Sequence, residues 1–380
     1  MDFGLKDHQR LIRETVREFM EAEVRPNVKE WERTEDFPAE AIAKLAEMGC
    51  CGMLMPEEWG GPGLDTISYV LMLEEVARVH TAMSTALGVT NSAVQIPLLK
   101  FGSEEQKKKY LRPLAEGKFL GAFCLTEPAA GSDAAGIQAT AVREGECYRI
   151  NGTKTWVTNG SVAGIYIVFA KTDPAAGGKG ISAFLVEPGT PGFKLGRHED
   201  KMGQKSSPSV ELTFNDCRMA ASARVGEEGQ GLKIALSTLD GGRIGIAAQA
   251  VGVAQGALEE SVKYAKARKA FGKAIGEFQA IQWMLADMQT EIEAARGLLY
   301  QAAYLKDSGG KMGAAASKAK LYASEMVNRV VAKAVQIHGS QGYSRESEVE
   351  RMYRDARVIT IYEGTSEVQR MIVARELLGK

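Results

Sequence analysis

The stretch GQGLKIALSTLDGGRIGIAAQAVGVAQGALEESVKYAKAR, residues 229–268, constrains the fold more than any other. It keeps a helical pattern almost throughout, and a helix of more than about 30 residues spans ~50 Å. A rod of that length needs companions to cover its apolar faces. Further long helical segments follow at roughly 277–306, 312–338 and 364–378, with short connections between them. This pattern predicts an antiparallel four-helix bundle over residues 225–380.

The chain before residue 225 divides in two. Residues 1–118 read as helices. LIRETVREFMEAEV places Leu11, Ile12, Val16, Phe19, Met20 and Val24 at helical spacing, and PAEAIAKLAEMG starts at Pro38 and stops at Gly49. SEEQKKKYLRPLAEG opens on a capping serine. The period changes over residues 119–224. ATAVREGECYRINGTKTWVTNG, IYIVFAKTD, ISAFLVEPG and VELTFNDCRM carry β-branched and aromatic residues broken by turn signals. Several short strands at regular spacing predict a compact β-barrel or sandwich. The expected fold class is mainly α with a central β domain.

With 380 residues, 45% apolar and 25% charged, the chain has the composition of a soluble globular protein. Its formal net charge of −1 carries no electrostatic footprint for nucleic acid or an anionic membrane. No window reaches the ~20 apolar residues of a membrane helix. The N-terminus has no apolar signal core, so a cytoplasmic location is expected. Cys50, Cys51, Cys124, Cys147 and Cys217 form no CxxC pair and read as reduced core residues. Neither GxGxxG after a strand, GxxxxGK[ST], HExxH nor GxSxG occurs, and the four histidines are scattered. No metal site is expected, and a dinucleotide would have to bind outside the usual βαβ frame.

Several motifs remain, each with a plain reading beside a functional one. CLTEPAAGSDAAG, residues 124–136, is either a polar loop or a wall approaching a flat ligand, with Thr126 offering a hydroxyl. GTKTWVTNG, residues 152–160, is a hairpin signal; Trp156 alone reads as core, yet Trp156 and Thr158, two apart on a strand, share a face. Gly241 and Gly242 cost a helix interior ~1 kcal/mol each relative to alanine. They mean close helix packing, a helix break or clearance for a ligand, beside Arg243 and Asp240. ARKAFGKAIGEFQA holds Arg268, Phe271 and Gln279, either a solvated helix–turn–helix corner or a phosphate clamp. QIHGSQGY, residues 336–343, ends a helix in small residues. In RDARVITIYEGTSEVQR, an apolar run leads to Tyr362 and a lone acid, Glu363, followed by Gly364, Thr365 and Ser366.

Taken in order, LTEPAAGSD, NGTKTWVTNG, RKAFGK, QIHGSQGY and RDARVITIYEGTSEVQR resemble the acyl-CoA dehydrogenase family of flavoproteins, over essentially the whole chain. The match resembles most closely the short-chain, butyryl-CoA-type members and their bacterial relatives. The resemblance implies FAD as cofactor and α,β-dehydrogenation of a short- or medium-chain acyl-CoA. It implies Glu363 as base for the α proton, with Tyr362 and Gly364 beside the substrate, and the amide of Glu363 polarising the thioester carbonyl. Cys124, Leu125, Thr126, Trp156 and Thr158 would meet the flavin, while Ser132, Asp240 and Arg243 would line the CoA channel. Arg268, Phe271 and Gln279 would reach the FAD of a neighbouring subunit. Gln336, Ile337, Gly339 and Ser340 would complete that site together with Thr365, Ser366 and Glu367. A homotetramer and electron transfer to electron-transferring flavoprotein are implied as well. Relatives that carry their base on the long helix place it where Gly242 stands here. HGSQG departs from the commoner Gly-Gly pattern at Gly339–Ser340. Rival readings are an oxidase or monooxygenase on the same fold and a non-catalytic helical scaffold.

Overall fold

The structure, a computed structural model, describes residues 4–379. Helix α1 (Asp7–Phe19) runs on through a wider turn at Met20–Val24, burying Val16, Met20 and Val24. Leu11, expected on that apolar stripe, is 64% exposed. Neighbouring helical residues lie ~100° apart, so Leu11 and Ile12 cannot share one face, and Ile12 takes the inward one. Helices α2 (Val28–Thr34) and α3 (Ala39–Glu47) follow, α3 opening after Pro38 and closing before Gly49, whose φ is +79°. Then come α4 (Thr66–Val79), α5 (Thr81–Gly88), α6 (Gln95–Phe101), α7 (Glu104–Gln106) and α8 (Arg112–Ala115). Ser103 and Gln106 form the capping box anticipated before α7, with bonds of 3.2 and 3.0 Å.

The strands are β1 (Leu120–Cys124), β2 (Thr140–Glu144), β3 (Cys147–Thr158), β4 (Ala163–Lys171), β5 (Ile181–Val186), β6 (Phe193–His198), β7 (Ser209–Ala220) and β8 (Arg224–Val225). They form one curled sheet in the order β6-β7-β3-β2-β4-β5-β8, with β1 parallel to β4. Its ends, β6 and β8, share no ladder among the described residues, so the barrel is open. The run IYIVFAK lacks polar alternation because both faces of β4 are covered. Tyr166, Val168 and Ala170 point into the barrel, whereas Ile165, Ile167 and Phe169 pack against Leu98, Leu111, Leu114 and Ile234 of the helices. All five cysteines are free thiols, and four are buried; Cys147 is half-exposed because it opens β3 at the sheet margin, not in the core.

Helix α9 (Gly231–Ala267) is unbroken through Gly241 and Gly242. A small hairpin follows, β9 (Lys269–Ala270) and β10 (Lys273–Ala274), in place of the plain corner between helices. Helices α10 (Gln279–Asp307), α11 (Gly313–His338) and α13 (Ser366–Leu377) take the expected bundle positions. A short α12 (Glu348–Arg357), not anticipated as a separate element, precedes the Glu363 turn. Among the described residues no helix is long and apolar enough to cross a membrane.

The bundle and the N-terminal helices share one core, in which α4 lies along α9. Other glycines than the adjacent pair make that approach possible. A Cβ on Gly252 would fall 2.3 Å from the Glu74 carbonyl oxygen, and one on Gly256 would fall 2.3 Å from that of Arg78. Neither backbone group can step aside. Gly252→Ala is therefore expected to push α4 off α9 and cost about 1–3 kcal/mol by overpacking, outweighing the ~1 kcal/mol gain in helix propensity. A urea midpoint equal to or above that of the wild type would refute this packing role.

Candidate active site

The apolar run before Glu363 becomes a tight turn, Val358–Thr360, with Ile359 in the core. The backbone then reverses: φ is +54° at Glu363 and +89° at Gly364. A left-handed non-glycine residue costs ~1–2 kcal/mol, so the surroundings must hold it. Thr365 restarts the chain as the N-cap of α13, accepting a 3.3 Å bond from the Val368 amide. Gln369 donates to the Gly364 carbonyl at 3.0 Å, and Lys320 of α11 donates to the same oxygen at 2.7 Å.

This reversal drives the Glu363 side chain toward α9. Its Oε2 is enclosed and has no hydrogen-bond partner. A Cβ on Gly242 would sit 2.7 Å from that oxygen. Gly242 thus makes room for the chain's own carboxylate, which none of its three readings named; Gly241 faces open space. Loss of water raises the Glu363 pKa above the ordinary carboxylate range, while Arg243 and Lys320 pull it back in part. Arg243 is buried and paired with Asp240 at 2.5 Å.

Tyr362 is tied down on both sides. Its hydroxyl donates to Gln249 of α9 and accepts from Gln204 at 3.3 Å. Gln249 in turn donates to Ser84 and Thr85 at 2.7 Å each. Gln204, in the β6–β7 loop, donates its amide to Asp355 of α12 at 2.5 Å. The Glu363 turn is therefore anchored to all three parts of the molecule.

The motifs LTEP and GTKTW come together on the rim of the sheet. The Thr155 amide donates to the Thr126 carbonyl at 3.0 Å. Register slips between Lys154 and Val157 on β3, and this bulge carries Trp156 at φ +57°. Trp156, which alone reads as core, is 58% exposed for that reason, and Thr158 lies on the same half-open side. The side chains of Cys124 and Leu125 turn into the two cores on either side of the sheet. Both residues are buried, whereas Ser132 is exposed. Beneath this wall Lys154 and Glu127 form a fully buried ion pair at 2.7 Å. Glu127 also accepts the Gln138 and Ala139 amides at 2.5 and 3.0 Å, and Lys154 donates to the Leu125 carbonyl at 3.2 Å.

A second group lies elsewhere. From Gly242 to Arg268 is 26 residues along α9, or about 39 Å. Arg268, Phe271 and Gln279 therefore cannot meet Glu363 of their own chain. The Tyr264 ring stacks on His338 at 4.3 Å, which brings Gln336, Gly339 and Ser340 to the same end of the bundle. Ile337 is buried there in the bundle core. Phe271 and Gly272 occupy the two-residue turn of the β9–β10 hairpin at φ +49° and +81°. Such a turn prefers Asn-Gly, yet it holds a phenylalanine that is 96% exposed. Thr365, Ser366 and Glu367 stay beside the Glu363 turn, in a cleft with Met202, Tyr353 and Arg357.

Among the contributors that escaped the sequence reading are Glu127, Lys154, Gln204, Gln249, Lys320 and Gln369; all but Gln369 act through contacts between distant segments.

Three family models cover the chain: the acyl-CoA dehydrogenase N-terminal domain at residues 6–118, the middle domain at 122–217 and the C-terminal domain at 229–378. A short-chain-specific acyl-CoA dehydrogenase of Clostridium acetobutylicum is 46% identical, covering 99% of this chain and 100% of the relative. The caffeyl-CoA reductase–Etf complex subunit CarC of Acetobacterium woodii is 47% identical, covering 98% and 99%. The solved butyryl-CoA dehydrogenase of Megasphaera elsdenii superposes with a TM-score of 0.98 at 46% identity, covering 100% of each chain. With these matches along its length and a carboxylate set against a helix glycine, this chain belongs to the acyl-CoA dehydrogenase family of oxidoreductases.

Proposed function

We propose that the protein dehydrogenates a short- or medium-chain acyl-CoA at Cα and Cβ, with Glu363 as the base. One observation carries this reading: a desolvated carboxylate with an unpartnered oxygen, aimed at the space beside Gly242. A carboxylate with a raised pKa is a stronger base toward a weakly acidic C–H bond. Glu363 accepts the α proton, the α C–H electron pair becomes the C=C bond, and the β hydrogen leaves as hydride. The Glu363 amide, held in the left-handed turn, is positioned as a donor toward the thioester oxygen.

The residues present fit a flat flavin cofactor. Trp156 and Thr158 share the open side of the bulge, and the Thr126 carbonyl is held beside them by the Thr155 amide, while α13 begins with Thr365–Glu367 lining a cleft beside the Glu363 turn. FAD, when bound, supplies the two-electron acceptor for the hydride. Arg268, Phe271, Gln279 and the Gln336–Ser340 segment are too distant to serve their own chain's site. Their reach to a neighbour's FAD accounts for an exposed, strained Phe271 and makes a homotetramer the expected assembly. Electron-transferring flavoprotein is the expected redox partner.

The same atoms support the reverse reaction, in which protonated Glu363 returns a proton to Cα of an enoyl-CoA. The similarity to a caffeyl-CoA reductase subunit favours keeping this second reading. Purified holoenzyme is expected to be yellow and to bleach when butyryl-CoA is added without oxygen. Crotonyl-CoA added to the chemically reduced enzyme should restore the colour. A preparation that FAD cannot load would point to a scaffold, and rapid peroxide formation in air would point to an oxidase.

A further inference from the structure

Lys320 is a fully buried lysine in the middle of α11, among the small buried residues Ala316, Ser317, Ala319 and Ala323. An ammonium group is costly to bury and persists where it is paired and hydrogen-bonded. Its hydrogen bond, 2.7 Å long, goes to the carbonyl of Gly364, the residue after the base. That oxygen also accepts from Gln369 at 3.0 Å, so two buried donors from two helices clamp one carbonyl. The clamped residue is the second of two consecutive left-handed positions, the first being Glu363 itself.

We propose that Lys320 is a positioning residue for the reaction: it holds the strained Glu363–Gly364 turn and, through its charge, governs when Glu363 is ionised. The assignment rests on the reading of Glu363 as base. The charged and titratable groups around the pair come from every element packed against it. Arg243 of α9, itself paired with Asp240, faces both residues; Glu325 of α11 and Glu367 of α13 face Lys320; the phenols of Tyr69 and Tyr362 feel the Glu363 charge. Burial lowers the Lys320 pKa to about 8 against the pull of Glu363. Lys320 is thus cationic near neutrality and lowers the Glu363 pKa from where desolvation alone would leave it. Removing that cation raises the Glu363 pKa, so the base ionises only at higher pH. An opposite charge at close range is typically worth about 1–3 pKa units.

The test reads Glu363 directly, apart from turnover. The infrared carboxylate band assigned by difference against Glu363→Gln is titrated with pH in FAD-loaded wild type, Lys320→Met, Lys320→Arg and Gln369→Leu. Expected is an upward shift of about 1 unit or more in Lys320→Met, with Lys320→Arg near the wild type. Gln369→Leu, which removes a donor but no charge, should leave the midpoint in place while slowing flavin reduction by butyryl-CoA. The acid limb of that rate should move up in Lys320→Met by the same amount as the band. A Lys320→Met midpoint within 0.3 units of the wild type, on the order of 0.4 kcal/mol, overturns the proposal. If Lys320→Met fails to fold, Lys320→Arg decides: a midpoint displaced upward despite the retained charge also overturns it. A wild-type protein that butyryl-CoA does not reduce would refute the proposed function instead, while leaving the band titration to decide the role of Lys320.

Discussion

Glu363→Gln is expected to bind FAD and butyryl-CoA yet reduce its flavin roughly 10²–10⁴-fold more slowly than the wild type. The amide keeps the size and most of the shape of the carboxylate, so the turn at Glu363 and its contact with Gly242 survive. What disappears is the only function that desolvation at this spot promotes, the capacity to take a proton. No neighbour can substitute. Position 242 is a glycine, Arg243 and Lys320 are cations, and burial drives the phenols of Tyr69 and Tyr362 to higher pKa. Stopped-flow bleaching of the flavin absorbance, with retention of FAD checked in parallel, decides the matter. Bleaching within a factor of about 3 of the wild type, well under the usual contribution of a general base, would remove Glu363 from its role.

Lys154→Met should destabilise the protein by about 3–5 kcal/mol. The substitution leaves Glu127 buried, and the pair lies under the wall formed by Thr126 and Trp156. A buried charge whose partner is removed retains its full desolvation cost. Glu127 would still accept the Gln138 and Ala139 amides, so the carboxylate cannot simply leave. The double variant Lys154→Met/Glu127→Gln should recover part of the loss, because the glutamine oxygen can still accept one of those two amides and no naked charge remains. FAD affinity should fall in the single variant and return in part in the double. Equilibrium unfolding in urea measures both; a single variant within ~1 kcal/mol of the wild type, the range of an exposed ion pair, would show that the pair does not brace the wall.

The two predictions differ in how visible their residues are in the sequence. Glu363 stands out locally, a lone acid closing an apolar run, and the family resemblance marks it as the candidate base. Lys154 does not stand out, because a lysine on a strand ordinarily points to water. The β3 bulge is equally hidden: no residue type announces that the register slips before Val157, and without the slip Trp156 reads as core. Phe271 in a left-handed turn is another case, since its neighbours RKA and GK read as a plain corner between helices.

Local pattern determined where helix gives way to strand and back, because that depends on spacing within a few turns of chain, whereas the family resemblance singled out the candidate base. Tertiary structure alone decided that Gly242 faces Glu363, that Lys320 holds Gly364, and that Arg268 lies about 39 Å along α9 from the glycine beside Glu363. Those pairings join residues far apart in the chain. They follow from which helix face meets which, and the packing of whole elements sets that.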